Sequence, residues 1–186
     1  MRRLFIAALL ALAVAAPAQA APPVWKVNPA KSSVTFTAKH IGLGDIKASF
    51  KGWTAQIAFD PADLAHSKVS VTLPTATLKS GKPEVDPELP KEEWFNAKAY
   101  PNATFVATSF SSQGAGKYTA NGTLTLKGKA YPVNLPFTLS IAGAKATMTS
   151  TLNMDRTRLD IGMTSDPDAE WVQKIVKLDI AITATK

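Results

Sequence analysis

Apolar and polar residues alternate with a period of two through most of this chain, and this alternation limits the folds it can adopt. The alternation covers residues 34–40, 46–50, 53–59 and 69–73, and then 118–126, 131–141, 146–154 and 176–182. Successive side chains of a strand point to opposite faces, so each stretch predicts a strand with one buried face. Short glycine-containing breaks separate the stretches, and Lys127-Gly128 is short enough for a hairpin loop. The sequence therefore predicts an all-β antiparallel fold of about eight strands, either a barrel or a sandwich.

Two segments interrupt the alternation and carry signals for helix. Val85–Ala97 contains Asp86 as a candidate N-cap, Pro87 at the first helical position and further acids in the first turn. This pattern predicts one short helix. The segment Ser165–Trp171 has the same Asp-Pro opening and predicts one helical turn before the last strand.

The first twenty residues have the three parts of a secretory signal peptide in order. Arg2 and Arg3 are followed by an apolar stretch and then by Ala18-Gln19-Ala20, a small-x-small cleavage site. We expect cleavage after Ala20, which leaves residues 21–186 as a single exported domain. Losing the two arginines lowers the formal net charge from +7 to +5. The remaining charges are scattered rather than clustered in a basic stripe, so the sequence argues against a nucleic-acid partner.

The residue types and motifs of most catalytic and metal sites are missing. The chain has no cysteine, which excludes thiol nucleophiles, iron–sulfur clusters, covalent c-type haem and disulfides. It also lacks the G-x-S-x-G, S-x-x-K and H-E-x-x-H motifs. The two histidines, His40 and His66, are isolated, and we expect His66 to be a surface loop residue. The acidic residues of 84–93 lack the spacing of a calcium loop. We therefore predict no catalytic residue and no metal site.

Aromatic residues are frequent on the strand faces that should point inward. An eight-stranded barrel is the size at which the interior either fills with side chains or holds one small ligand. Alternation alone does not decide between these two outcomes. The aromatic residues concerned are Phe36, Phe50, Trp53, Phe59, Phe105, Tyr131 and Phe137.

Four segments in order resemble the YceI-like family of secreted bacterial proteins. They are SSVTFTAKHIGLGDIKASFKGWTAQIAFDP, VDPELPKEEWFNAKAYPNATFVAT, NGTLTLKGKAYPV and MDRTRLDIGM. The chain departs from the family pattern at Val85 and Glu88, which replace an Arg and a His, and at residues 158–160. The resemblance implies a lipocalin-like antiparallel barrel that binds polyisoprenoid lipids. It also implies a periplasmic location.

The resemblance further implies a ligand, a site and partners. The expected ligand is a polyisoprenoid or an isoprenoid quinone, bound without catalysis and without another cofactor. His40 would mark the polar end of the site, where it bonds either a ligand head group or a neighbouring backbone group. Three hypotheses stay open: this isoprenoid binder or carrier, an enzyme acting on a lipid, and a filled barrel that docks on a membrane redox protein such as a cytochrome b561. The protein is expected to be a monomer or a homodimer. The candidate lining residues are Phe36, His40, Phe50, Trp53, Phe59, Phe105, Val133, Phe137 and Arg156.

Overall fold

The computed structural model describes residues 21–186, and the predicted signal peptide lies outside them. The regular secondary structure of these residues is antiparallel strand, with short 3₁₀ turns at Pro29–Lys31 and Thr75–Thr77. No helix within the described residues is long and apolar enough to cross a membrane. The strands are β1 Val24–Val27, β2 Ser33–His40, β3 Gly44–Ser49, β4 Thr54–Ala58, β5 Lys68–Pro74, β6 Asn102–Gly114, β7 Lys117–Leu126, β8 Lys129–Ala142, β9 Lys145–Asp155 and β10 Ile175–Thr185.

The strands form one sheet that closes on itself as a barrel. From β4 to β10 each strand pairs with the next in sequence, and β1 pairs with both β4 and β10. The strands β1 and β2 lie one after the other along the same edge of β10, so they share one position in the barrel. Likewise β3 pairs with β2 and β4 with β1, so these two share the next position. The ten strands therefore fill eight positions, which confirms the predicted lipocalin-like barrel.

The predicted hairpin at Lys127-Gly128 is confirmed. Leu126 of β7 pairs directly with Lys129 of β8, so only two residues form the loop. Both have positive φ, 49° at Lys127 and 73° at Gly128, as a type I′ turn requires. This turn twists in the same sense as the strands and so keeps the long β7–β8 ladder in register.

A β-bulge in β6 changes which of its residues face the interior. Ala107 pairs with Gly122, but the next paired residue is Ser109, so Thr108 is the extra residue. The bulge shifts the alternation by one position. Phe105 and Ala107 face inward before it, and Phe110 faces inward after it.

The segment 85–97 is a series of turns instead of the predicted short helix, so that prediction was wrong. Pro87 at the first helical position removes no donor that a helix uses, but Pro90 lacks the N–H that would make the first intrahelical hydrogen bond, to the carbonyl of Asp86. The N–H of Phe95 donates to the carbonyl of Leu89 at 3.1 Å, across six positions, which no regular helix does.

The Asp-Pro dipeptides of these two predicted helical segments use the carboxylate to shape a loop rather than to start a helix. Asp86 accepts hydrogen bonds from the hydroxyl and the N–H of Ser80, at 2.7 and 2.6 Å, and these lower the pKa of its carboxyl. Asp166 accepts from the N–H groups of Trp171 and Val172, at 3.1 and 2.8 Å. The helical turn predicted at 165–171 is therefore also wrong, because Asp166 bonds forward to the end of its loop.

Candidate functional site

The interior of the barrel holds an apolar cavity with a volume of about 370 Å³. Side chains from every strand line it, and nearly all of them are aliphatic or aromatic. Among the described residues, the polar side chains on its wall are those of His40, Glu84, Glu88 and Arg156. The volume lies within the range of roughly 300–1,000 Å³ that small-molecule sites occupy.

Inward-facing side chains halfway along the barrel show that the interior is hollow. Phe105, Val133, Leu152 and Ile180 pack against the buried residues of this region, yet each is only partly buried. If the interior were filled, opposing side chains would meet and leave no free surface. Their exposed surface is the cavity wall. The structure therefore differs from the filled barrel that the alternation had left open.

One end of the barrel is closed by a cluster of aromatic rings, which we call the aromatic floor. Phe59 contacts Phe110, Tyr118 and Phe137 edge to face, with ring centroids 5.2, 5.6 and 5.9 Å apart. Edge-to-face contact is a favoured arrangement of aromatic pairs. Trp25 completes the aromatic floor, since its Nε1–H donates to the carbonyl of Phe59 at 2.9 Å. A ligand cannot leave through this end without displacing these rings.

Loops partly cover the opposite end of the barrel. Phe95 lies over the barrel with its ring 6.0 Å from that of Phe36 and 6.1 Å from that of Phe50, measured between centroids. Leu89 and Ile161 are buried in the same cluster. The two segments 78–95 and 156–162 therefore form an apolar cover over part of the cavity.

The cavity reaches the surface beside this cover, at an opening that we call the mouth. It is formed by His40, Leu43, Glu84 and Glu88, which line the cavity and are exposed or only partly buried. Lys82 joins the two sides of the mouth, because its Nζ donates to the carbonyl of Leu43 at 2.7 Å. The mouth therefore lies between the β2–β3 hairpin and the segment 84–88, and it carries the polar groups that an apolar ligand would meet last.

All nine candidate lining residues lie on the wall of this one cavity. That they contact a ligand stays a prediction. The nine are Phe36, His40, Phe50, Trp53, Phe59, Phe105, Val133, Phe137 and Arg156.

His40 ends β2 at the mouth. Its Nδ1–H donates to the carbonyl of Ile41, which is the neighbouring-backbone alternative considered for this residue. Its backbone pairs with Val172, which ties the β2–β3 hairpin to the loop before β10. A hydrogen bond to a ligand would have to use the other ring nitrogen, Nε2.

His66 lies in the loop between β4 and β5, where its Nδ1 is 2.8 Å from Asp63 and its side chain is 65% exposed, as predicted for a surface residue.

Arg156 lines the cavity, but its guanidinium is directed at protein oxygens. The side chain is 2% exposed. Its Nε donates to Val172 O at 3.1 Å, and its Nη1 donates to Ile161 O and Gly162 O at 2.8 and 3.4 Å. Its Nη2 lies 2.5 Å from the Asp166 carboxylate and 2.7 Å from Val172 O. Arg156 therefore holds the loop 156–172 in place and has no N–H left for a head group.

The carboxylate of Asp166 stays ionised within this buried network. Burial alone would raise the pKa of its carboxyl. The N–H groups of Val172 and Trp171, together with the Arg156 guanidinium, outweigh burial and bring the pKa below its ordinary value. The ion pair is therefore charged at neutral pH, and it anchors the loop that pairs with His40.

Residues of the site that were not expected from the sequence include Phe110, Glu84 and Glu88. Phe110 belongs to the aromatic floor, and the bulge in β6 hid its inward position because it breaks the alternation. Glu84 and Glu88 lie at the mouth, whereas their sequence context suggested acids of a helix start. The position of these two carboxylates depends on how the loop folds, and no local signal in the sequence indicates that.

Comparison with known proteins supports the geometry. The family model of the YceI-like domain matches residues 25–184. A UPF0312 protein of Vibrio parahaemolyticus is 34% identical over 137 residues, which cover 73% of this chain and 72% of that protein. Among solved structures, Burkholderia cenocepacia BcnA superposes with a TM-score of 0.81 at 32% identity, over 86% of this chain and 100% of BcnA.

A more distant structure shares the fold. It is described as a polyisoprenoid binding domain from Saccharophagus degradans implicated in plant cell wall breakdown. It superposes with a TM-score of 0.67 at 11% identity, over 87% of this chain and 97% of that domain. At this identity the likeness concerns the fold alone. The family model covers almost all of the described residues, and the chain therefore belongs to the YceI-like family.

Proposed function

We propose that the protein binds the prenyl chain of a polyisoprenoid lipid or an isoprenoid quinone inside the barrel and makes or breaks no bond. The observation that carries this proposal is the apolar cavity itself, which is open at the mouth and closed at the aromatic floor. An apolar chain can enter such a cavity through the mouth and leave its head group there. The fold is shared with the Saccharophagus degradans domain described as polyisoprenoid binding, which supports the same class of ligand.

The energetics favour retention of such a chain. Burying a methylene group stabilises by about 0.8 kcal/mol, so each isoprene unit contributes roughly 3–4 kcal/mol before costs. Eight units would exceed about 25 kcal/mol, above the ceiling near 21 kcal/mol for non-covalent binding. Ordering the flexible chain offsets much of the gain. Discrimination between ligands therefore comes from the depth of the cavity and from the groups at the mouth.

The placement of the histidines supports binding rather than catalysis. Histidine-activated nucleophiles need the imidazole within hydrogen-bond reach of the attacking group. The ring of His40 bonds to the carbonyl of Ile41, and that of His66 bonds to Asp63 in the β4–β5 loop. Neither ring is bonded to a serine or threonine hydroxyl that it could activate.

We further propose that the protein works after export, in the periplasm, where it carries or stores the lipid.

A second candidate role is docking on a membrane redox protein such as a cytochrome b561. It is favoured by apolar side chains exposed beside the mouth: Ile41 is 61% exposed and Trp171 57% exposed, and the two residues are joined by a backbone hydrogen bond of 2.8 Å. Replacing both with serine should abolish docking in a pull-down with that partner and leave lipid content unchanged. Loss of lipid in this variant would instead assign both residues to the lipid site.

Native mass spectrometry of the protein from its own periplasm tests the main proposal. Denaturing extraction should release a stoichiometric prenyl lipid or quinone. A clean ligand-free mass, with no uptake of added isoprenoids, would contradict it.

A matched pair of variants on β4 tests whether the lipid lies in the barrel. Ala55 lines the cavity, and Gln56 beside it is exposed on the outer face. Ala55→Trp places an indole in the cavity and should abolish lipid uptake. Gln56→Trp adds the same group outside and should leave uptake intact. Equal uptake by the two variants, with unchanged circular dichroism, would place the lipid elsewhere.

A further inference from the structure

The charged side chains at the mouth are unusual for a site that would hold an anionic head group. Glu84 and Glu88 both line the cavity at this end. Lys91 forms an ion pair with Glu88, with 2.5 Å between Nζ and Oε1. The Nζ of Lys82 donates to the carbonyl of Leu43. Lys91 is therefore paired with a carboxylate and Lys82 with a backbone carbonyl, and among the described residues Glu84 and Glu88 are the charged side chains that line the cavity at the mouth.

Arg156 does not change this balance, although it is the cationic residue on the cavity wall. Five donors are available on a guanidinium. In Arg156 they are directed at the oxygens of Val172, Ile161, Gly162 and Asp166. Its charge is also paired with the buried carboxylate of Asp166. Arg156 would therefore offer a phosphate at the mouth no free N–H.

We infer that the mouth selects lipids with an uncharged, hydroxyl-bearing head group and discriminates against phosphorylated ones. This inference rests on the proposed function and specifies its ligand class. Carboxylate oxygens only accept hydrogen bonds, so Glu84 and Glu88 suit the O–H of an alcohol or phenol. Phosphate recognition uses Arg or Lys donors, and a phosphate beside these carboxylates would be repelled.

Farnesol and farnesyl phosphate share one prenyl chain and differ in head group, so they separate the head-group effect from the chain effect. We expect isothermal titration at low salt to show farnesol binding at least about tenfold more tightly than farnesyl phosphate. The Glu84→Gln/Glu88→Gln double variant removes both charges, frees Lys91 and should reduce the difference to about threefold or less. Raising the ionic strength should also reduce it, because salt screens exposed charges.

Glu92→Gln provides the matched control. Glu92 is exposed on the same segment but does not line the cavity, so its loss changes the net charge without changing the mouth. This variant should bind farnesol more tightly than farnesyl phosphate by the same factor as the unmodified protein. If Glu92→Gln reduced the discrimination as much as the double variant, the effect would belong to overall charge, and the inference would be refuted.

The remaining outcomes separate this inference from the proposed function. Farnesyl phosphate binding as tightly as farnesol to the unmodified protein would overturn the inference and leave prenyl binding in place. Binding of neither ligand, at any salt concentration, would overturn both.

Discussion

Replacing Asp166 with alanine removes the carboxylate that pairs with a buried arginine. Asp166 accepts hydrogen bonds from the Arg156 guanidinium, from Trp171 N–H and from Val172 N–H. Arg156 is 1% exposed, so water cannot take the place of the lost carboxylate without opening the loop. The variant therefore leaves a buried positive charge uncompensated and two backbone donors without their acceptor.

The expected loss of stability follows from these contacts. Breaking a buried ion pair by removing one partner costs about 3–5 kcal/mol. A buried backbone N–H left without an acceptor adds about 1–3 kcal/mol, although exposed Trp171 can turn its N–H to water. The carbonyls around Arg156 still accept from it and offset part of the loss. We expect the free energy of unfolding to fall by about 4 kcal/mol, or roughly 8–16 °C in Tm for a domain of this size.

Urea unfolding followed by tryptophan fluorescence measures this difference. Asp168→Ala is the matched control, because Asp168 is an exposed acid in the same loop, and its loss should change stability by about 0.5 kcal/mol or less. A loss below about 1 kcal/mol for Asp166→Ala would refute the reasoning. It would mean that the backbone carbonyls alone compensate the arginine and that the ion pair does not anchor the loop.

Three further outcomes are expected. The pKa of the Asp166 carboxyl is lowered on folding, so its contribution to stability is present above the ordinary aspartate pKa of about 3.9 and is lost as the pH falls through the lower folded-state pKa. Acid unfolding should therefore begin below about pH 4. Asp166→Asn should flatten this part of the curve of unfolding free energy against pH. Phe59→Ala should lower the free energy of unfolding, measured in urea, by about 3–5 kcal/mol. By opening the aromatic floor it should also shift the extracted lipids toward longer chains. An unchanged chain-length distribution would show that the aromatic floor does not limit the length of the bound chain. Gly116 has φ of +74°, and a Cβ there would lie 2.7 Å from the carbonyl oxygen of Leu139. Gly116→Ala should therefore lower the free energy of unfolding by about 1–3 kcal/mol. An unchanged free energy of unfolding would contradict the close approach of these two atoms.

The resemblance to the YceI-like family gave the barrel, since alternation alone had left a sandwich open. Alternation was sufficient to predict the antiparallel strands, because each strand has one face toward the interior and one toward solvent. It also placed Phe36, Phe105 and Phe137 on the cavity wall. It could not show whether opposing walls meet, since alternation reports the direction of a side chain and not the distance across the barrel. The hollow interior therefore had to come from the structure.

Features that depend on contacts between distant segments were predicted poorly. The signals of Asp86 and Pro87 suit a helix start, but Asp86 bonds backward to Ser80 and the helix does not form. The direction of Phe110 was hidden by the extra residue Thr108 in β6. The saturated guanidinium of Arg156 depends on the fold of the loop 156–172, and a sequence pattern carries no information about that geometry.

The position of β10 has a consequence for the timing of folding. This strand pairs with β9 on one edge and with β1 and β2 on the other, so it joins the two ends of the described chain, as in the pair Lys26–Thr185. Such contacts give a high contact order, which slows folding. Until β10 arrives, β1, β2 and β9 have unpaired edges that can pair with other chains. The barrel can therefore close only after residues 175–185 have been synthesised, so closure follows the appearance of β10 instead of accompanying the synthesis of the earlier strands.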